Sequence, residues 1–192
     1  MRALALNCTL KASPAPSSCE LLLTQVLDEL RGLGVEGQMR RVADHHVPPG
    51  VESDLGDGDE WPELRRAVLD ADILVLGTPI WMGQPSSVCK RVLERMDAFL
   101  AETDDAGRMV SYGRVAIVAV VGNEDGAHHT SAELYQAPAS GVTYWVGEAM
   151  GRVDYRDLPQ TPETTAGTTR TAAVNAAHLA RLLAGSGYPA AG

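Results

Sequence analysis

Two stretches of this chain, ADILVLGTP (Ala71 to Pro79) and GRVAIVAVVGN (Gly113 to Asn123), are apolar at successive positions rather than at alternate ones. A strand of that kind needs cover on both faces, which is the situation of parallel strands in a sheet flanked by helices. RALALN (Arg2 to Asn7) reads as another short buried strand, and VEGQMRRV (Val35 to Val42) as a further one.

Helical spacing fills the intervals. Leu22, Leu23, Val26, Leu27 and Leu30 recur on one stripe after a start at Ser17 or Ser18, with Glu20 in the first turn and Gly32 and Gly34 at the end. A short helix is expected over Trp61 to Leu69, with Pro62 in its first turn. Ser86 or Ser87 caps a third, carrying Val88, Val92, Leu93, Met96 and Phe99, and EDGAHHTSAELYQA leads into a fourth near Ala132. The last is expected from about Pro162 to Ala184, capped by Thr161 and facing inward through Val174, Ala177, Leu179, Leu182 and Leu183. Strand–loop–helix units repeated four times imply an α/β fold with a parallel sheet and right-handed crossovers. A fifth strand has only PASGVTYWVG to draw on: either VTYWV supplies it, or the region is shortened.

At 192 residues the expectation is one domain, 1–192, with a small flexible tail from about Gly185. The net charge of −9 argues against a nucleic-acid or anionic-membrane partner. No apolar run approaches the roughly 20 residues of a membrane span, and MRALALNCTLK lacks the pattern of a secretory leader, so a cytoplasmic protein is expected. Cys8, Cys19 and Cys89 are odd in number and widely spaced, which suits reduced thiols rather than a disulfide, zinc or iron–sulfur framework; no metal site is expected. SDLGDGDE (Ser53 to Glu60) reads as a solvated acidic loop within the long segment after the second strand, with a weak cation site as the alternative, and lacks the form of a calcium loop.

Ligands of open parallel sheets bind beyond the carboxyl ends of the strands, so the loops leaving strands one, three and four carry the functional reading. NCTLKASPAPSSC lacks both GxGxxG and GxxxxGK[ST] and is rich in hydroxyls. It is either a plain polar loop with a serine cap, or a cradle in which Thr9, Ser17, Ser18 and helix N–H groups hold a phosphate, with Lys11 adding charge. LGTPIWMGQPS is stiffened by Pro79 and Pro85 and freed at Gly83. Trp81 and Met82 present a wall for a flat ring, or else Ile80 or Trp81 folds under the next helix or packs in a subunit interface. GNEDGAHH offers Asn123, Glu124, Asp125, Gly126 and two adjacent histidines, too divergent on a helix for one metal; His128 is a candidate proton donor. A phosphate cradle, a planar wall and a polar third loop together suit a mononucleotide with a flat reactive ring, and FMN better than a dinucleotide.

These three loops, above all LGTPIWMGQPSSVCKRVLERMD, resemble the flavodoxin-like NAD(P)H-dependent FMN reductases, including relatives of the iron–sulfur flavoproteins, from Arg2 to about Gly151. The cluster cysteines of the latter are absent. The resemblance implies a three-layer sandwich with strand order 2-1-3-4-5, non-covalent FMN, and homodimers or homotetramers with the flavin at an interface. It places Thr9, Lys11, Ser17, Ser18 and Cys19 around the phosphate. Pro79, Ile80, Trp81, Met82 and Gly83 would border the ring, and Asn123, Glu124, Asp125 and Gly126 its other edge. The expected function is an FMN-dependent oxidoreductase passing electrons from NAD(P)H to a free flavin, quinone or other small acceptor. A one-electron carrier and a non-catalytic binding protein are the alternatives.

Overall fold

The computed structural model describes residues 1–123, 125–136, 142–143 and 154–188. Its strands are β1 (Arg2–Asn7), β2 (Glu36–Arg41), β3 (Ile73–Trp81), β4 (Gln84–Pro85), β5 (Val115–Val121) and β6 (Val142–Thr143). The helices are α1 (Ser18–Gly32), α2 (Trp61–Leu69), α3 (Ser87–Met96), α4 (Ala127–Gln136) and α5 (Glu163–Gly185). The sheet runs β2-β1-β3-β5-β6 with every neighbouring pair parallel, which is the expected 2-1-3-4-5 order of a flavodoxin-like sandwich. VTYWV does supply the fifth parallel strand, through Val142 and Thr143 beside Ile117 and Val118. The rest of VTYWV, like the chain beyond 188, lies outside the described residues.

Alternate residues of the central strands feed two cores. Ala3, Ala5, Ile73, Val75, Val115 and Ile117 pack with α1 and α5, whereas Leu4, Leu6, Leu74, Leu76, Val118 and Val120 pack with α2, α3 and α4. This two-sided burial is why the strands are apolar at successive positions.

Three local expectations are corrected. Of the residues expected to face inward from α5, Ala177 is buried and Leu179 and Leu183 pack half-buried against the core, but Val174 and Leu182 are exposed and Ala172, Ala173, Ala176 and Ala180 complete the face. Small side chains let α5 lie close against α1 and the sheet, and proximity rather than side-chain size selects the buried stripe. Thr161 does not cap α5: Pro162 occupies that position without a side-chain cap, and the Thr161 hydroxyl accepts a hydrogen bond from Gln25 Nε2 at 2.9 Å. The strand β3 continues through Ile80 and Trp81 instead of ending at Pro79.

The acidic loop is not wholly solvated either. The side chains of Asp59 and Arg95 are fully buried against one another, with Nη2 to Oδ2 at 2.5 Å and Nη1 to Oδ1 at 3.2 Å. Arg95 also donates to the carbonyls of Glu52 (3.0 Å) and Pro48 (3.2 Å), and its guanidinium lies over the Trp61 ring. One turn earlier on α3, Arg91 donates to the Val47 carbonyl at 3.2 Å. Burial pushes the Asp59 carboxyl up, but Arg95 and the N–H groups of Leu55 and Trp61 together hold it below the usual range. The long segment between β2 and α2 is therefore strapped to α3 by arginines at helical spacing.

Arg95→Met would leave Asp59 buried without its counter-charge. The expected cost is about 3–5 kcal/mol in urea unfolding, with part of it recovered in the Asp59→Leu/Arg95→Met double variant.

Candidate functional site

Parallel register sets Arg41, Asn7, Gly77 and Ala119 side by side across four strands. The chain therefore leaves β1, β3 and β5 at one edge of the sheet, bringing the three expected loops together.

The first loop starts at Asn7, which is fully buried. Its Oδ1 accepts from the Thr9 N–H at 3.1 Å, while its buried Nδ2 has no hydrogen-bond partner. Ser17 is the N-cap of α1, in extended backbone (φ −139°), and accepts from the Glu20 N–H at 3.2 Å. An unpaired amide donor, buried hydroxyls on Thr9 and Ser17, and the first turn of a 15-residue helix fit a phosphate dianion. The Ser18 hydroxyl is engaged elsewhere: it donates to Asp154 Oδ1 at 2.6 Å. The Arg156 guanidinium, with that hydroxyl, holds the Asp154 carboxyl far below the usual range. Exposed Lys11 reaches the Pro16 carbonyl at 3.5 Å and so lies along its own loop. Cys19 turns its thiol into the core, where burial pushes it well up, leaving only backbone for a ligand.

The second loop is a two-residue hairpin in which β4 pairs antiparallel with the end of β3, Trp81 opposite Gln84. Met82 (φ 52°) and Gly83 (φ 74°) both take positive φ, as a type I′ turn requires. Ile80 is in the core, Pro79 is half-buried, and Trp81 and Met82 are 54% and 90% exposed. Of the five expected wall residues, the turn thus delivers two large side chains to the surface. Ser86 ties this loop to the first. Its hydroxyl donates to the Cys8 carbonyl (2.5 Å) and accepts from Cys89 N–H (3.1 Å) as the cap of α3, while its N–H donates to Thr78 Oγ1 (3.0 Å).

The third loop clamps the hairpin tip. At Gly126 (φ 116°) a Cβ would lie 2.6 Å from Gly83 Cα, so only glycine allows this approach. Thr130 donates to the Gly83 carbonyl at 3.3 Å. Gln84 Nε2 meets His129 Nε2 at 2.9 Å, and His129 and Lys90 both meet Glu133, at 2.8 and 2.5 Å. Lys90 chiefly, then His129, holds the Glu133 carboxyl below the usual range. Asn123, Asp125 and His128 are exposed at this edge; Glu124 lies outside the described residues.

Sequence reasoning passed over Asn7, Arg41, Asp44 and the triple role of Ser86. Only Asn7 carried a signal, as a polar residue ending an apolar strand.

The model of the family described as NADPH-dependent FMN reductase matches residues 1–149. A protein of Streptomyces davaonensis named 8-demethyl-8-aminoriboflavin-5'-phosphate synthase is 30% identical over 206 residues, covering 98% of this chain and 80% of that protein. The structure of RosB with bound 8-demethyl-8-formylriboflavin-5'-phosphate superposes with a TM-score of 0.84 at 28% identity, covering 98% of this chain and 82% of that one. A Mycobacterium bovis protein named divalent metal cation transporter MntH is 36% identical over 220 residues. This chain, covered in full, spans only 32% of that protein's length. Among the described residues no helix is long and apolar enough to cross a membrane.

Two variants test the hairpin. Gly126→Ala is expected to lose about 1–3 kcal/mol of stability in urea unfolding, from the strained φ and the contact with Gly83. Met82→Asn, which creates the Asn-Gly pair that this turn favours, is expected to gain about 0.5–1 kcal/mol in the same measurement.

Proposed function

The chain belongs to the NADPH-dependent FMN reductase family, and from this premise we propose that it is an FMN-dependent oxidoreductase passing electrons from NADH or NADPH to a small acceptor such as a free flavin or a quinone. The observation that carries this reading is the meeting, at one sheet edge, of an anion cradle with an unpaired buried amide and a stiff hairpin holding Trp81 and Met82 outward. When bound, FMN supplies the hydride and electron-transfer chemistry.

The protein's part is to bind and orient. Thr9 and Ser17, with the N–H groups opening α1, hold the phosphate without a metal; Lys11 adds positive charge, and Ser18 and Cys19 contribute only backbone. Trp81, Met82 and Gly83, with half-buried Pro79, border one side of the ring, and Ile80 supports them from the core. Asn123, Asp125 and Gly126 border the other. Oriented binding suffices for this reaction, so no side chain is assigned as acid or base. Exposed Trp81 and Met82 also suit an interface of a homodimer or homotetramer.

A second reading is favoured by the relatives themselves. One is named as a synthase of an aminoriboflavin phosphate, and another holds a formylriboflavin phosphate. In that reading a riboflavin-5'-phosphate at this site is consumed rather than retained.

The test is to saturate the purified protein with FMN, supply NADH or NADPH with a quinone, and recover the flavin for mass analysis. Dinucleotide oxidation with unchanged flavin is expected. No oxidation with either dinucleotide overturns the reductase reading, and a changed flavin mass favours the second. Trp81→Ala and Ser17→Ala are each expected to weaken FMN binding about tenfold or more, measured by flavin fluorescence.

A further inference from the structure

The first loop does not hold its own shape. Between Cys8 and Ser17 its backbone makes one internal hydrogen bond, Ala15 N–H to the Ala12 carbonyl. Besides the ties from Asn7, Gly77 and Ser86 near Cys8, two residues at and just after the end of the neighbouring edge strand hold it. Arg41, the last residue of β2, has a side chain only 5% exposed. Its Nη1 donates to the carbonyls of Ala15 (2.7 Å) and Lys11 (3.4 Å), and its Nη2 to Glu20 Oε2 (2.6 Å). Three residues later, exposed Asp44 takes the other flank: Oδ1 accepts from the Ser13 N–H (2.6 Å) and Oδ2 from the Ser13 hydroxyl (2.7 Å).

We propose that Arg41 and Asp44 are positioning residues that shape the first loop around a phosphate and thereby make the site select phosphorylated over unphosphorylated flavin. The inference rests on the flavin reading above and deepens it.

Charge bookkeeping argues for action through the loop. Glu20 neutralises Arg41 and both terminal nitrogens of the guanidinium are committed, leaving only its buried Nε without a partner. By engaging two loop carbonyls it keeps their oxygens on the β2 side, away from any anion at the helix terminus. Asp44, itself an anion, is tolerable near a phosphate only because its oxygens are committed to Ser13. The same tie removes Ser13 from the set of phosphate donors and leaves Thr9, Ser17 and the unpaired Asn7 amide. The Ser13 N–H first, then its hydroxyl, hold the Asp44 carboxyl below the usual range. The tie is therefore complete at neutral pH and is lost only as pH falls through that depressed value. Lysine would not replace Arg41, because an ammonium lacks the planar fork that spans two carbonyls and a carboxylate.

The experiment measures FMN and riboflavin dissociation constants for the wild type, Arg41→Lys, Arg41→Met and Asp44→Ala, with thermal unfolding alongside. Wild type is expected to prefer FMN. Each variant is expected to weaken FMN binding about tenfold or more, the effect of one or two lost charge-assisted hydrogen bonds. Riboflavin binding should stay within about twofold, since the wall for the ring is untouched. Asp44 is exposed, so its variant reports even if the Arg41 variants unfold. Parallel weakening of both ligands, or an unchanged preference in Asp44→Ala, overturns the proposal while leaving the flavin site in place. Failure of the wild type to bind either ligand overturns the flavin reading itself.

Discussion

Parallel pairing of β1, β3 and β5 places Asn7, Gly77 and Ala119 in one row, and everything at the site hangs from that row. Parallel strands all end at the same edge, so three loops remote in sequence are delivered to one place without contacts of their own. The pairing in turn depends on burial of both sheet faces, which α1 and α5 provide on one side and α2, α3 and α4 on the other.

Side chains then convert proximity into a fixed site. Ser86 joins the first loop, β3 and α3 through three hydrogen bonds at a buried hydroxyl and amide. Gly126 lets the third loop close on Gly83. A methionine is held at φ 52° on the hairpin tip, where asparagine or glycine would be less strained. Backbone strain kept at an exposed apolar side chain fits a position selected for contact rather than for folding. The two arginine systems follow one logic: Arg41 shapes the loop after β1, and Arg95 the segment after β2, each from a buried side chain that satisfies carbonyls no regular element could reach.

The architecture was largely legible in the amino-acid order. Leu22, Leu23, Val26, Leu27 and Leu30 announced α1, and the successive apolar residues of β3 and β5 announced a sheet covered on both faces. Legibility failed where size and polarity mislead. In α5 Ala177 was legible but Val174 and Leu182, which are exposed, outweigh the other buried alanines by size, and side-chain size does not reveal how closely two helices approach. Asp59 was hidden inside an acidic run because its partner Arg95 lies 36 residues away. Thr161 had the chemistry of a cap but was turned toward Gln25 by the passage of the chain across α1.

Of the candidate site, the sequence by itself determined which loops matter and what chemistry they carry: hydroxyls before α1, a stiff aromatic-bearing turn after β3, and polar residues after β5. These are local properties, fixed by side-chain type and by where a buried strand must end. Only the tertiary structure decided how each residue is used. It turned Ile80 and Cys19 inward, committed Ser18 to Asp154, left Asn7 with an unpaired amide, and set Arg41 and Asp44 against the first loop. Those outcomes depend on strand register and on which side chain reaches a given carbonyl or carboxylate, and such distances arise only when segments far apart in sequence are packed together.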